Sequence, residues 1–123
     1  MKIEKFENLE IWQKAIDLYV EVYHASENGK LAKDFSAKDQ LKRAALSISN
    51  NIAEGYEYDN NPDFIKFLKY SKGSAGEVRS MFHAFHRTGQ INDLEHERLV
   101  LAATEISKKI NGFIKYLKDY QRK

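Results

Sequence analysis

Residues 39–55 read DQLKRAALSISNNIAEG, and this stretch carries a helical pattern of apolar side chains. Its apolar residues recur every three or four positions, which is the period of one face of an α-helix. They are Leu41, Ala44, Ala45, Ile48 and Ile52. The stretch therefore predicts an amphipathic helix that buries this stripe against other helices.

The same period recurs in three other parts of the chain, so the whole sequence is helical in pattern. The predicted helices span about residues 9–27, 37–55, 62–88 and 93–121. Their connections are short, and short connections force consecutive helices to run in opposite directions. A chain of 123 residues has the length of one domain. The sequence therefore predicts an all-α fold, an antiparallel up-and-down four-helix bundle over residues 1–123.

Capping residues and glycines set the predicted helix boundaries. Side chains that accept hydrogen bonds from a helix N-terminus precede each pattern. These are Asn8, Ser36 with Asp39, Asn61 before Pro62, and Asn92 with Glu95. Three glycines mark the predicted helix ends, because glycine adopts the backbone conformation of a helix C-terminus; they are Gly29, Gly55 and Gly89. The other three, Gly73, Gly76 and Gly112, fall inside helices, and we expect another backbone to come close there; a bend in the helix is the alternative at Gly73 and Gly76.

The composition excludes several kinds of site. The chain has no cysteine, which excludes disulfides, thiolate metal sites and cysteine nucleophiles. No apolar run approaches the roughly 20 residues that cross a bilayer, and residues 1–10 lack the apolar segment of a signal peptide. We therefore expect a cytoplasmic protein without membrane contact, and we find no motif for a cofactor, a metal or a small-molecule substrate.

A row of polar side chains runs beside the apolar stripe of the second helix. Ser and Asn are poor formers of helix interiors, so their presence favours a paired network over an ordinary solvated face. The third helix supplies further small and polar groups in its middle. The predicted network, inside the bundle or between subunits, consists of Arg43, Ser47, Asn51, Glu54, Ser74 and Glu77. A solvated polar face is the alternative.

The stretch 39–55 resembles the hallmark of the four-helix bundle family encoded in intervening sequences of bacterial 23S rRNA genes, whose pattern is roughly Q-L-R-R-A-A-x-S-I-x-x-N-I-A-E-G. Lys42 replaces one arginine of that pattern. The resemblance extends over nearly the whole chain. Its other matching residues are Phe6, Leu9, Trp12 and Ala15, residues 64–68 (FIKFL), Gly73, Ser74 and Glu77.

The resemblance implies a small cytoplasmic bundle that assembles into a ring-shaped homopentamer. It also implies a distant relationship to the accessory protein of diversity-generating retroelements, which is basic and associates with nucleic acid and a reverse transcriptase. No enzymatic activity belongs to the family. We therefore expect a non-enzymatic oligomer that associates with RNA or the ribosome, or serves as a nucleic-acid-binding scaffold. A protein–protein interaction module without nucleic acid is the alternative.

The net charge of +2 conceals an uneven distribution along the chain. Residues 1–29 carry net −3 and residues 44–104 net −2, whereas residues 30–43 carry +3 and residues 105–123 carry +4. If the two basic segments meet at one end of the bundle, an oligomeric ring multiplies a patch that attracts phosphates. The predicted phosphate contacts are Lys38, Lys42, Lys108, Lys109, Lys115 and Lys118. A merely solubilising basic tail is the alternative.

Tyr56 and Tyr58 follow the second helix, where they either stack on bases or pack against a neighbouring helix. They belong to no recognised nucleic-acid-binding motif.

Three patterns that contain histidine lead to separate hypotheses. Glu21 and His24 have the spacing of a di-iron bundle motif, but such a site needs two copies and further carboxylates. His83 and His86 lie beside arginines that would crowd a metal, so no metal site is predicted. Arg79 and His86 match the loose Arg-x(4–6)-His spacing of helical HEPN ribonucleases, in which His is the acid/base and Arg stabilises the phosphorane. This ribonuclease is the enzyme alternative.

Overall fold

The computed structural model describes residues 4–121, which form four α-helices and two short 3₁₀ turns. The helices are α1 (Glu10–Ser26), α2 (Phe35–Glu57), α3 (Asn61–Arg87) and α4 (Asp93–Gln121). The turns, Phe6–Asn8 and Leu31–Lys33, precede α1 and α2. Each helix packs against its neighbours in the cycle α1–α2–α3–α4–α1. This arrangement confirms the predicted all-α up-and-down bundle.

The core follows the apolar stripes of all four helices. Leu18, Ile48, Leu68, Phe82 and Ile110 are fully or almost fully buried at its centre. Burying one such side chain contributes about 1.5–3 kcal/mol, so the stripes drive the assembly of the helices. No helix within residues 4–121 combines the length and apolar character that a bilayer-spanning segment needs.

The helix N-termini agree with the sequence at α4 and differ elsewhere. At α4 the Asn92 backbone N–H donates to Glu95 Oε1 (3.2 Å) and the Glu95 N–H donates to Asn92 Oδ1 (2.8 Å), a reciprocal capping box. The cap of α2 is Asp34 rather than Ser36, because Asp34 Oδ1 accepts the Ala37 N–H at 3.1 Å.

Two further N-termini differ by one residue from the prediction. Asn60 rather than Asn61 caps α3, since its side chain accepts the Asp63 N–H. Asn8 lies in a 3₁₀ turn, and Leu9 is the uncapped residue before α1. The correct capping side chain thus lies one or two positions from the predicted one, or is absent.

Gly55 does not end α2, contrary to the prediction. The helix continues to Glu57, and the chain reverses at Asp59, whose φ of +61° is in the left-handed region. Gly55 is instead the close contact between α2 and α3, because a β-carbon there would lie 2.7 Å from Phe67 Cβ. Within one chain the predicted close contacts at the other interior glycines are wrong: added β-carbons at Gly73, Gly76 and Gly112 meet no described residue of another helix within 4 Å.

The up-and-down order separates the two basic segments. We call the end of the bundle that holds Glu10, Glu57, Asn61 and Gln121 the near end, and the opposite end the far end. Residues 30–43 lie at the far end, where Asp34 accepts a 2.8 Å hydrogen bond from Gln90 Nε2. Residues 110–121 end α4 at the near end. The expectation of a single basic patch from both segments is therefore wrong, since α2 begins where α4 also begins.

Candidate phosphate-binding face

Half of the predicted polar network forms a partly buried contact between α2 and α3. The hydroxyl oxygens of Ser47 and Ser74 are 3.0 Å apart, and Asn51 Nδ2 donates to Ser47 O (2.9 Å) and Ser47 Oγ (3.0 Å). Ser71, which is fully buried, donates to Ile48 O at 2.7 Å. These small polar groups find hydrogen-bond partners where the two helices lie close, so the contact joins α2 to α3 within one chain.

The charged half of that network lies outside this contact. Arg43 Nε binds Asp39 Oδ2 at 3.0 Å one turn away, and the Arg43 side chain is 80% exposed. Glu54 and Glu77 are exposed, and within residues 4–121 neither forms an ion pair. The bundle itself therefore brings together Ser47, Asn51 and Ser74 and leaves the three charged residues on its surface.

Two lysines in the first half of α2, Lys38 and Lys42, form ion pairs with one carboxylate. Glu27 Oε2 lies 3.0 Å from Lys42 Nζ and 3.6 Å from Lys38 Nζ. The hydrogen bond from Lys42 and then the Lys38 charge lower the Glu27 pKa, while the same hydrogen bond raises the Lys42 pKa. Lys42 Nζ also lies 4.7 Å from the Tyr23 ring centroid. Lys38 and Lys42 are therefore engaged within the chain.

The lysines of α4 divide between its two sides. Lys109 turns towards α1, where its Nζ lies 3.5 Å from Glu10 Oε1. Lys108, Lys115 and Lys118 share a helical face with Asn111, because positions 108, 111, 115 and 118 are three or four apart. Asn111 Oδ1 accepts a 3.1 Å hydrogen bond from Lys72 Nζ on α3. That contact turns the face of the three lysines towards α3.

Two lysines of α3 complete a basic surface that the sequence did not identify. Lys69 precedes Lys72 by three residues, so both lie on the side of α3 next to α4. We call the exposed set Lys69, Lys72, Lys108, Lys115 and Lys118 the cationic face. Among the described residues, no carboxylate lies within 4.0 Å of their ammonium groups. The Lys72–Asn111 contact joins the lysines of α3 to those of α4. The sequence could not predict it, because it depends on how the two helices pack.

The histidine of the ribonuclease hypothesis, His86, belongs to a cluster between α3 and α4. His86 Nε2 lies 2.7 Å from Asp93 Oδ1, and the His86 ring stacks on His96 at 3.9 Å. His83 Nδ1 and His96 Nε2 are 2.9 Å apart. Arg79 is exposed, two turns before His86 on α3. The geometry thus engages His86 with Asp93 and His96.

Within residues 4–121, no group of three or more histidines and carboxylates is arranged so that it could bind a metal ion. The Glu21 carboxylate of the Glu-x-x-His motif binds Arg98 Nε at 3.1 Å instead. Tyr56, in the last turn of α2, makes edge contacts with Phe6 and Phe64. Tyr58, which follows α2 and is 52% exposed, stacks on Phe67 with centroids 5.1 Å apart.

Comparison with known proteins agrees with this description. The family model of the 23S rRNA-intervening sequence protein matches residues 7–112. The chain belongs to this family. A crystal structure of a protein of unknown function from the S23 ribosomal protein family, from Bacteroides thetaiotaomicron VPI-5482, is similar to it with a TM-score of 0.77. The two sequences are 27% identical, over 85% of this chain and 98% of that one. No curated protein matches this chain.

Membership of the family confirms the resemblance drawn from residues 39–55. Neither the family description nor the similar structure names an enzymatic activity. The cationic face groups five lysines that form no ion pair with other described residues. Its three α4 lysines span about 15 Å, at 1.5 Å per residue between Lys108 and Lys118.

Proposed function

We propose that this protein is a non-catalytic oligomer that binds the phosphate backbone of RNA along the cationic face. The observation that carries the proposal is the group of five exposed lysines with no carboxylate partner among the described residues. Because their ammonium groups are not neutralised within the chain, they attract phosphates and release the counterions condensed on a nucleic acid. Lys108, Lys115 and Lys118 remain in this proposal, whereas Lys38, Lys42 and Lys109 leave it.

RNA is the polyanion that the comparisons favour. The family description refers to intervening sequences of 23S rRNA, and the similar crystal structure is named for a ribosomal protein family. The cationic face is defined by lysines alone, and lysine contacts to phosphate carry no sequence information. The proposed binding is therefore to the backbone, with little dependence on base sequence.

Salt dependence tests this proposal directly. Fluorescence anisotropy of a labelled single-stranded 20-nucleotide RNA would be measured between 50 and 300 mM NaCl, as roughly the range in which phosphate contacts dominate. Five phosphate contacts predict a slope of roughly −3.5 in a plot of log affinity against log salt. No saturable binding at the lowest salt, or a slope near zero, would overturn the proposal.

We also propose that copies of the chain meet through the charged residues beside the α2–α3 contact. Glu77 and Arg43 lie about one turn from the Ser47–Ser74 contact, on the same side of it, because α2 and α3 are antiparallel. Within one chain, Arg43 forms its ion pair with Asp39, which is exposed, and not with a glutamate of the network. A second copy can thus supply the partners that Glu54 and Glu77 lack within one chain.

Light scattering after size-exclusion chromatography tests this contact. The wild-type chain is expected to elute as an oligomer, with five copies as the number that the family resemblance implies. Arg43→Glu should shift it towards the monomer, while Lys30→Glu, a matched charge reversal outside the helices, should not. A monomeric wild-type protein, or equal effects of both variants, would contradict the contact.

A further inference from the structure

The near end of the bundle contains an aromatic cleft that the proposed RNA contact does not use. It has a volume of about 710 Å³, within the usual range for ligand sites. Leu9 lines it before α1, and Phe113, Tyr116, Leu117 and Tyr120 line it from α4. Lys109 of α4 is level with Glu10, the first residue of α1, so residues 110–121 extend about 18 Å beyond that point.

Five rings form a continuous row along this cleft. The centroid distances between successive rings, from Tyr56 through Phe64, Phe113 and Tyr116 to Tyr120, are 6.0, 5.6, 5.8 and 6.3 Å. The row begins half-buried at Tyr56 and ends with Tyr120 62% exposed. Large aromatic side chains that remain open to solvent on one side offer their faces to a ligand.

The charged side chain that lines the cleft, among the described residues, is acidic. Asp59 lines it, and its carboxylate forms no hydrogen bond or ion pair with the other described residues. Among the described residues that line the cleft there is no lysine or arginine. Burial first, and then the carboxylates of Glu57, Asp59, Glu4 and Glu7, raise the Tyr56 pKa. Phosphate groups would be repelled here, so this cleft is not an extension of the RNA surface.

We propose that the aromatic cleft binds a basic peptide segment of a partner protein, with an arginine side chain lying against the tyrosine rings and its guanidinium beside Asp59. A cation over an aromatic face is attracted by the ring quadrupole, and a planar guanidinium also stacks on it. The aliphatic stem of the arginine covers the apolar wall while its charged end meets the carboxylate. The volume exceeds what one small cation fills, which favours a peptide as the occupant.

Calorimetric titration of the full chain with the capped tetrapeptide Gly-Arg-Arg-Gly tests this proposal. We expect saturable binding, weaker binding of Gly-Lys-Lys-Gly, and none of the peptide in which neutral citrulline replaces arginine. Equal binding of the citrulline peptide would overturn the proposal, because the cleft would then be merely apolar. No binding of the arginine peptide at millimolar concentrations would overturn it as well.

Variants locate the binding on the cleft. Tyr120→Ala should weaken the arginine peptide about two- to fivefold, as expected for one exposed cation–ring contact, and Asp59→Asn should weaken it further. Asn tolerates the left-handed conformation at position 59, so the fold is retained. The matched controls Asp17→Asn and Tyr70→Ala remove an exposed carboxylate and an exposed ring elsewhere, and equal losses in the controls would contradict the assignment.

The two proposals fail separately. Replacing Lys108 and Lys115 with Gln should leave the peptide affinity unchanged while weakening RNA. Asp59→Asn should leave RNA affinity unchanged while weakening the peptide. If either variant weakened the binding of both RNA and peptide, the peptide could not be assigned to a site distinct from the cationic face.

Discussion

The α-carbon of Gly55 on α2 lies against Phe67 on α3 so closely that a β-carbon on residue 55 would be 2.7 Å from Phe67 Cβ and 3.1 Å from a ring carbon of Phe64. Ordinary contacts between such carbons are longer, so a side chain at this position forces α2 and α3 apart. The glycine that closes the stretch 39–55 thus sets the distance between two helices, and the turn that follows is made by other residues.

Substituting Gly55 and Gly73 with alanine should have opposite effects on stability. Gly55→Ala adds a methyl group to a filled space and should lower the free energy of unfolding by about 1–3 kcal/mol. Gly73→Ala adds one where nothing in the described chain lies within 4 Å, and should raise it by up to about 1 kcal/mol, because alanine is the better helix former. Urea unfolding followed by circular dichroism measures both; a stabilised Gly55→Ala would refute the close contact.

Substitutions at Asp59 should separate the effect of its backbone conformation on stability from the effect of its carboxylate. Its φ of +61° costs free energy that a glycine would not incur. Asp59→Gly should therefore match or exceed the wild-type melting temperature, whereas Asp59→Ala, with a β-carbon and no carboxylate, should melt lower. Thermal denaturation of the two variants at one protein concentration provides the measurement. Identical melting temperatures for both would show that the backbone conformation carries no cost.

The histidine cluster between α3 and α4 should make stability depend on pH. Burial, followed by the charges of His86 and His83, lowers the His96 pKa below its ordinary 6.5, against the opposite effect of Asp93 and Glu97. The unfolded chain thus binds a proton at His96 more readily than the folded chain does. Stability from this residue is complete above pH 6.5 and is lost as the pH falls towards the lowered pKa.

Urea midpoints at pH 7.5, 6.5 and 5.5, values spanning about one unit on either side of the ordinary histidine pKa, would measure this dependence. The midpoint should fall with pH in the wild type and fall less in His96→Gln. His24→Gln replaces an exposed histidine of α1 and should retain the wild-type dependence. If His96→Gln lost stability with falling pH as steeply as the wild type, His96 would not be the titrating group.

The apolar stripes and the capping box of Asn92 and Glu95 could be predicted because both depend on residues close in sequence. The cap at Asp34 was missed because Ser36 and Asp39 offer an equally good local pattern, and only the short turn before α2 decides between them. The role of Gly55 depends on Phe67 across the helix interface, which no local pattern contains. Local sequence therefore predicted helices better than it predicted contacts between them.

The surface chemistry shows the same limit. Counting charge along the chain identified the lysines of α4, but Lys69 and Lys72 lie in a segment of negative net charge and join them only through the packing of α3 on α4. Counting charge also predicted phosphate contacts at Lys38 and Lys42. In the fold, Glu27 from another segment of the chain pairs with both lysines.

A comparison of two double variants tests the cationic face most directly. Lys108→Gln with Lys115→Gln removes two unpaired charges, and Lys38→Gln with Lys42→Gln removes two that are paired with Glu27 at the far end. In RNA anisotropy titrations the first variant should bind more weakly and make the salt slope shallower by roughly 1.4, which corresponds to two lost phosphate contacts with a single strand. The second should retain the wild-type slope. Equal slopes for the two variants would contradict the assignment of RNA binding to this face.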